Sequence, residues 1–468
     1  MIKKIAYAST KYLTYGLKFF QLLIIAKYLG PAGLAVFGFA QLVSLYVSFL
    51  HFGIPLSIHA MLSVSKNEES LKAQSYISDG FTFLILSSVF FCVMGVCVIL
   101  IAPSLFEKFE FHKYGTLSII MGANLIIVQF FSNIYQVYAQ YVRVALIELI
   151  SVILPFIVVL LYKNNADDLL QYILWVSALN IIFNLFFFLY KAPFKISFSL
   201  RRDPLNLLIK MGVPMLLSNV AFYLITISIR SISSYYYDLQ QIGHFTFGLN
   251  ISNSVMLGLN AISWTFYSTI LSNTCDDVND AHAYIQKVNR IYNFILIITV
   301  FVGILCLPAL FYFLPAYKVF YSGIGILLIS QIFMSVSMGY NSLLVAQKKQ
   351  NYLVVISFIT LSFAIIASVC VCVFDMPMIF QPGVILIAMF LYSSLIFYLA
   401  AKICKKKFMN IFFEVLSWKV FISIFLLLFI IFSDAGIFLN FACVLIYFLL
   451  CYKDIQFLLK SWNEIRKA

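Results

Sequence analysis

The sequence predicts an all-α polytopic membrane protein: two six-helix lobes related by a pseudo-two-fold axis along the membrane normal, plus an extra C-terminal helix pair. Three observations predict this. Of 468 residues, 63% are apolar and 10% charged, with mean hydropathy +1.00, too little polar surface to cover a soluble domain. The apolar residues gather in runs of about 17–25, the length of a bilayer-crossing helix. One turn motif, LGPAGLAVFGFAQ at 29–41, returns as LQQIGHFTFGLNI at 239–251. An outer-membrane barrel would instead show alternating segments of about ten residues. The N-terminus is no cleavable signal, because Lys11, Lys18 and Lys27 interrupt its apolar region and no small-x-small site follows.

Taken in order, spans are predicted at 10–28, 34–58, 80–102, 115–139, 145–162, 169–190, 211–235, 243–266, 290–312, 323–345, 352–374 and 383–401. Two shorter ones follow at 418–433 and 436–452, favoured as crossing helices over a hairpin that stops short, with Asp434 at their outward turn. With the N-terminus inside, 24 of the 31 Lys and Arg residues fall on the cytoplasmic side. Four fall outside (Lys108, Lys113, Lys163, Lys318) and three within spans (Lys18, Lys27, Arg230). This bias places both termini in the cytoplasm and requires an even number of spans. It also accounts for the net charge of +13 without nucleic acid, for which no binding module is present. The nine cysteines lie mostly in apolar spans and read as small hydrophobes without a disulfide framework.

The repeat matches Leu29 with Leu239, Gly33 with Gly243, Phe37 with Phe247 and Gly38 with Gly248. Weaker matches follow: Pro103–Phe106 with Pro308–Phe311, and Ala139-Gln140 with Ala346-Gln347. Each repeat holds six spans and begins on the same side, so the repeats are parallel. The domains expected are a first lobe at 1–190, a basic cytoplasmic linker at 191–210, a second lobe at 211–401, and a basic segment with the extra pair and tail at 402–468.

Polar residues in the spans form stripes. At about 100° per residue, Thr10, Lys11, Thr14, Tyr15, Lys18 and Gln21 share one arc of span one. Its mate, span seven, repeats this with Asn219, Tyr223, Thr226, Arg230 and Ser233. Gln41 and His51 in span two, Asn250 and Asn253 in span eight, and Gln129 and Gln136 in span four extend the lining of an expected polar cavity. Spans three, nine and thirteen have little polar patterning and read as lipid-facing. The short stripe of span six (Ser177, Asn180, Asn184) does not fit the division. For any single Ser, Asn or Gln the plainer role is to join neighbouring helices, at about 0.6–2 kcal/mol each.

The charges say more. A Lys or Arg at the bilayer centre costs about 2.5–3.5 kcal/mol and needs water, a partner or a path to the surface. Lys18 is mid-span on the polar stripe. Arg230 is on its stripe but near enough to the outer end to snorkel. Lys27 faces away from Lys18 at the outer boundary, where it serves as an anchor or a ligand contact. Glu148 pairs with Arg143 or another basic group, or is a protonatable coupling site; His51 is a second coupling candidate. A cation-lined cavity selects anions such as phosphate or carboxylate. No Walker A, zinc-type or nucleophile-elbow motif is present, so the sequence calls for no enzyme activity, metal or cofactor.

The turn at 29–41, its counterpart QIGHFTFG at 241–248 and the Gly-Val-Pro at 212–214 resemble those of Wzx-type O-antigen and polysaccharide flippases. These belong to the superfamily that also holds multidrug exporters and the lipid II flippase. The resemblance implies two lobes in a V around a central cavity with alternating access. It implies transfer of undecaprenyl-diphosphate-linked oligosaccharide, for O-antigen or capsule, from the cytoplasmic to the periplasmic leaflet, where a polymerase and a chain-length regulator act. The family's cationic cavity would map onto Lys18 and Arg230, and less firmly Lys27. The extra C-terminal pair departs from twelve-span members. A cation-coupled drug exporter, needing an acid such as Glu148 in the first lobe, and a non-transporting scaffold for glycan assembly are the competing readings.

Overall fold

The computed structural model describes residues 2–64, 70–104, 106–162, 166–273, 278–347, 349–433, 437–452, 454 and 456, and the regular structure among them is entirely helical. The chain forms two compact units, Met1–Val220 with Tyr237–Thr246, and Ala221–Tyr236 with Phe247–Ala468. Nine helices among the described residues are long and apolar enough to cross a membrane, or eleven when two bent helix pairs are counted. This is a multi-pass membrane protein.

The first unit holds α1 (Ile2–Ser48), α2 (Ile54–Val64), α3 (Ser70–Ile101), α4 (Phe111–Val137), α5 (Tyr141–Tyr162) and α6 (Ala166–Leu189). It also takes the start of α7 (Arg202–Tyr236) and the first turns of α8 (Leu239–Asn273). Span one is the first arm of α1; span two begins as its second arm but is broken at Phe49–Gly53, so the end of the predicted 34–58 lies in α2. The arms of α1 divide at Gly30, whose φ of 64° and ψ of −177° no helix accommodates. A Cβ there would meet nothing within 4 Å, so glycine is needed for its positive φ and not for space. Pro31 then opens the second arm, where its missing N–H is no loss. That arm lies close on α4: a Cβ on Gly122 would come within 2.8 Å of the Ser44 carbonyl. The Ser44 hydroxyl donates to the Ser118 carbonyl at 2.8 Å. Behind this contact, Ile58, Ile77, Phe81, Phe131, Ile147 and Phe188 form one apolar core.

The basic linker is half helix, since α7 begins at Arg202, and its extended part is docked. Ser197 N–H donates to Ser78 Oγ at 3.1 Å, Ser199 N–H to Thr82 Oγ1 at 3.2 Å and Arg201 N–H to Asp79 Oδ1 at 3.2 Å. Alternate backbone N–H groups of the extended segment thus all find side-chain acceptors within one turn of α3. Asp79, fully buried, also accepts from Ser199 Oγ at 2.6 Å and Arg201 Nε at 3.2 Å.

The second unit continues through α9 (Val278–Phe313), α10 (Tyr321–Val336), α11 (Met338–Ala346), α12 (Gln350–Val373), α13 (Phe380–Ile403), α14 (Phe408–Val415), α15 (Trp418–Phe432) and α16 (Ile437–Leu450). The sequence reading missed α14, an eight-residue helix between the lysines and α15, from which it bends by 52°. Span nine is corrected: it does not face lipid throughout. Its mate α3 does expose Leu86, Phe90, Val93 and Ile101, but α9 buries Ile297, Phe301 and Ile304. α10 packs along it, and the C-terminal helices cover a further part. Tyr447 of α16 lies 6.0 Å from the Phe294 ring and 5.2 Å from that of Phe301, and its hydroxyl donates to the Phe294 carbonyl at 3.2 Å. Span thirteen is likewise half-covered, burying Val420 and Leu427 while exposing Phe425. The expected turn at Asp434 and the tail from 457 lie outside the described residues.

Candidate functional site

On the first arm of α1, Thr14, Lys18 and Ile25 point in nearly the same direction at about 100° per residue. Thr14 and Ile25 are fully buried, yet Lys18 between them is exposed. Lys18 is thus the exposed residue among these three, with Lys11, Tyr15 and Gln21 beside it half-buried. Lys27, nine residues on, points the opposite way, beside Tyr28 and on the face where Leu13 and Phe20 are exposed.

Lys11, two turns before Lys18, forms an ion pair with Glu148 of α5, and both side chains are largely buried. The alternative partner is occupied elsewhere. Arg143 donates to the carbonyls of Phe187 at 2.7 Å, Lys191 at 3.0 Å and Tyr190, and lies over the Tyr135 ring at 4.7 Å. A guanidinium at the C-terminus of α6 is there matched to the helix dipole. Glu148 lies within electrostatic reach of Lys18 as well, so Lys11, Glu148 and Lys18 form one charged group on this part of α1.

His51 is buried, and its Nδ1 accepts the Gly53 N–H at 2.9 Å, with Gln129 beside it. Gln41 and Gln136 are half-buried and Gln129 is exposed. The stripe of span six joins helices: Asn184 Nδ2 donates to Asn124 Oδ1 at 2.9 Å, Ser151 Oγ to Asn184 Oδ1 at 2.8 Å and Asn180 Nδ2 to the Ser151 carbonyl at 3.0 Å. This ties α4, α5 and α6 together.

In the second unit, Arg230 on α7 is 8% exposed. Asn250 is half-buried; Asn253 is exposed, and its Oδ1 receives Gln331 Nε2 at 3.4 Å. The Asn219 side chain lies outside the described residues. A chain that the sequence reading missed runs from buried Tyr340 through buried His282, with the hydroxyl 3.1 Å from Nδ1, to the exposed Glu414, 3.3 Å from Nε2. No spacing pattern announces it, because the three residues come from α11, α9 and α14. Among the described residues no group of three or more His, Cys, Asp or Glu side chains could hold a metal.

The helix order and the broken α1 define an all-helical multi-pass membrane protein. The chain belongs to the polysaccharide biosynthesis protein family, whose model matches residues 2–267. A search of curated proteins found no match by sequence. Solved structures share the fold. The lipid II flippase MurJ in an inward closed conformation superposes with a TM-score of 0.65 at 13% identity, over 96% of this chain and 99% of that one. An inward-facing multidrug resistance MATE family transporter of the MOP superfamily gives 0.66 at 15% identity, over 86% and 98%. A MOP superfamily transporter from Pyrococcus furiosus, described by the reverse polarity of its binding pocket, gives 0.57 at 14% identity, over 86% and 94%.

Proposed function

We propose that the protein is a flippase that moves undecaprenyl-diphosphate-linked oligosaccharide from the cytoplasmic to the periplasmic leaflet of the inner membrane by alternating access. The observation that carries this reading is Lys18, an exposed cation on a membrane-length helix, in a chain of the polysaccharide biosynthesis family. Lys18 and Arg230 would meet the diphosphate or acidic sugars through charge-assisted contacts, with the polar residues of α1, α4 and α8 around the saccharide. The lobes at 1–190 and 211–401 would alternate, both termini would lie in the cytoplasm, and a polymerase and chain-length regulator would take the product. The exporter reading needs a free acid in the first lobe, and Glu148, its candidate, is engaged by Lys11. Deletion of the gene tests the proposal: lipid-linked oligosaccharide should accumulate on the cytoplasmic leaflet while surface glycan disappears. Normal surface glycan with altered resistance to cationic drugs would support the exporter instead.

A further inference from the structure

The helix α13 is long and apolar enough to cross a membrane and ends at Ile403, and α15, 15 residues long, begins at Trp418. At about 1.5 Å per residue α15 covers about 22 Å of a hydrocarbon layer about 30 Å thick. The eight residues of α14, inclined to it by 52°, add about 7 Å along its axis. The connection between α13 and α15 therefore lies in the interfacial layer, with α14 at the edge of the hydrocarbon and the chain before it among the head groups.

That preceding chain is basic and held in place. Lys402, Lys405, Lys406 and Lys407 are exposed, and none forms an ion pair among the described residues. The end of α13 is a Schellman turn. Lys405 has a φ of 52°, Cys404 N–H donates to the Ala400 carbonyl at 2.8 Å, and Lys406 N–H donates to that of Ala401 at 2.9 Å. Glu414, the one acid between 402 and 419, stands 3.3 Å from His282 Nε2 of α9. On α14, Ile411 and Val415 are buried where the helix packs on α13 and α9. Met409 and Phe413, half a revolution away at about 100° per residue, are 54% and 51% exposed.

We propose that this face binds anionic phospholipid, with Lys405, Lys406 and Lys407 against the head-group phosphate and Met409 and Phe413 among the acyl chains. Charge complementarity selects the anionic class, because each basic side chain near an anionic lipid surface adds attraction, whereas the ammonium of a zwitterionic head opposes the lysines. An acidic protein segment would satisfy the lysines but leave the apolar face of α14 unmatched. A second copy, docked symmetrically, would bring the same lysines together. Orienting the chain in the membrane asks only for positive charge in this connection; it does not ask for a fixed basic turn followed by an exposed apolar face. The inference rests on the membrane-spanning fold and not on what the chain transports.

Native mass spectrometry of the full-length protein in detergent, with phosphatidylglycerol and phosphatidylcholine of the same chains as probes, tests this. Phosphatidylglycerol should be retained about tenfold more strongly. Lys405→Gln/Lys406→Gln/Lys407→Gln should abolish that preference, and Lys405→Arg/Lys406→Arg/Lys407→Arg should keep it. Lys191→Gln/Lys195→Gln/Arg202→Gln removes the same charge from the exposed linker and should leave the preference unchanged. Met409→Ser/Phe413→Ser keeps every lysine and should weaken both lipids alike, so the test stands if the lysine variant fails to insert. Equal retention of the two lipids by wild type, a preference that survives the loss of Lys405–Lys407 or falls equally in the linker variant, or retention untouched by Met409→Ser/Phe413→Ser overturns the proposal. So does a dimer that disappears in Met409→Ser/Phe413→Ser, which would give the face to a second copy.

Discussion

Lys11 of α1 and Glu148 of α5 form an ion pair within the first unit, with Lys11 14% and Glu148 24% exposed. Removing one partner leaves the other charge poorly solvated, which costs more than the pair contributes. Glu148→Gln should therefore lower stability by about 1–3 kcal/mol, read as a lower thermal midpoint in detergent. The double variant Lys11→Met/Glu148→Leu should recover most of it and keep the wild-type pH profile of transport. Loss of pH dependence in the double variant would return Glu148 to a coupling role.

The docked linker gives a second test. Asp79 accepts from one backbone N–H and two side chains of the segment ending at Arg201, so Asp79→Ala orphans several donors at once. We expect a loss of about 2–4 kcal/mol locally and faster trypsin cleavage at Lys195 and Arg201. Unchanged cleavage would mean that the segment is held by other contacts.

Two glycines in the first unit permit backbone to touch backbone. A Cβ on Gly243 would stand 1.8 Å from the Pro31 carbonyl oxygen, and one on Gly53, with φ of 73°, 1.9 Å from that of Gly212. Gly243→Ala and Gly53→Ala should each cost about 1–3 kcal/mol or more through overpacking, and reduce surface glycan at normal expression. Gly16→Ala, with nothing within 4 Å of its Cβ, is the control and should be neutral.

Burial alone would raise the Asp454 carboxyl, but hydrogen bonds and charge from Lys419 and Arg290 outweigh it and hold the group below the usual aspartate range. A carboxyl lowered in the folded state stabilises at neutral pH, and that contribution is lost as pH falls through its folded value. The clasp joining α9, α15 and the end of α16 should hold at neutral pH and release on strong acidification. Asp454→Asn should lower the thermal midpoint at neutral pH and flatten its acid dependence; an unchanged midpoint would show the clasp to be energetically idle.

The apolar runs made most helices legible, and the helical period already put Lys18 and Lys27 half a revolution apart. What escaped was contact made across distant segments. Asp79 sits just before the apolar part of its span, so nothing in the local pattern marks it as the anchor of residues 120 further on. The eight residues of α14 lie next to four lysines and read as loop. Polar stripes were ambiguous for a physical reason: the same Asn and Ser spacing serves a cavity or a helix joint, and in α6 it serves the joint. Span nine looked lipid-facing because apolar residues are equally suited to lipid and to α10 and the C-terminal helices that pack on it.

The most direct test of the central claim is translocation of lipid-linked oligosaccharide in proteoliposomes by wild type and Lys18→Ala, reconstituted at equal density. A charge-assisted contact of about 1.5–3 kcal/mol predicts a fall of roughly ten- to a hundredfold, partly restored in Lys18→Arg and absent in Lys27→Ala. Wild-type rates in Lys18→Ala would contradict the account.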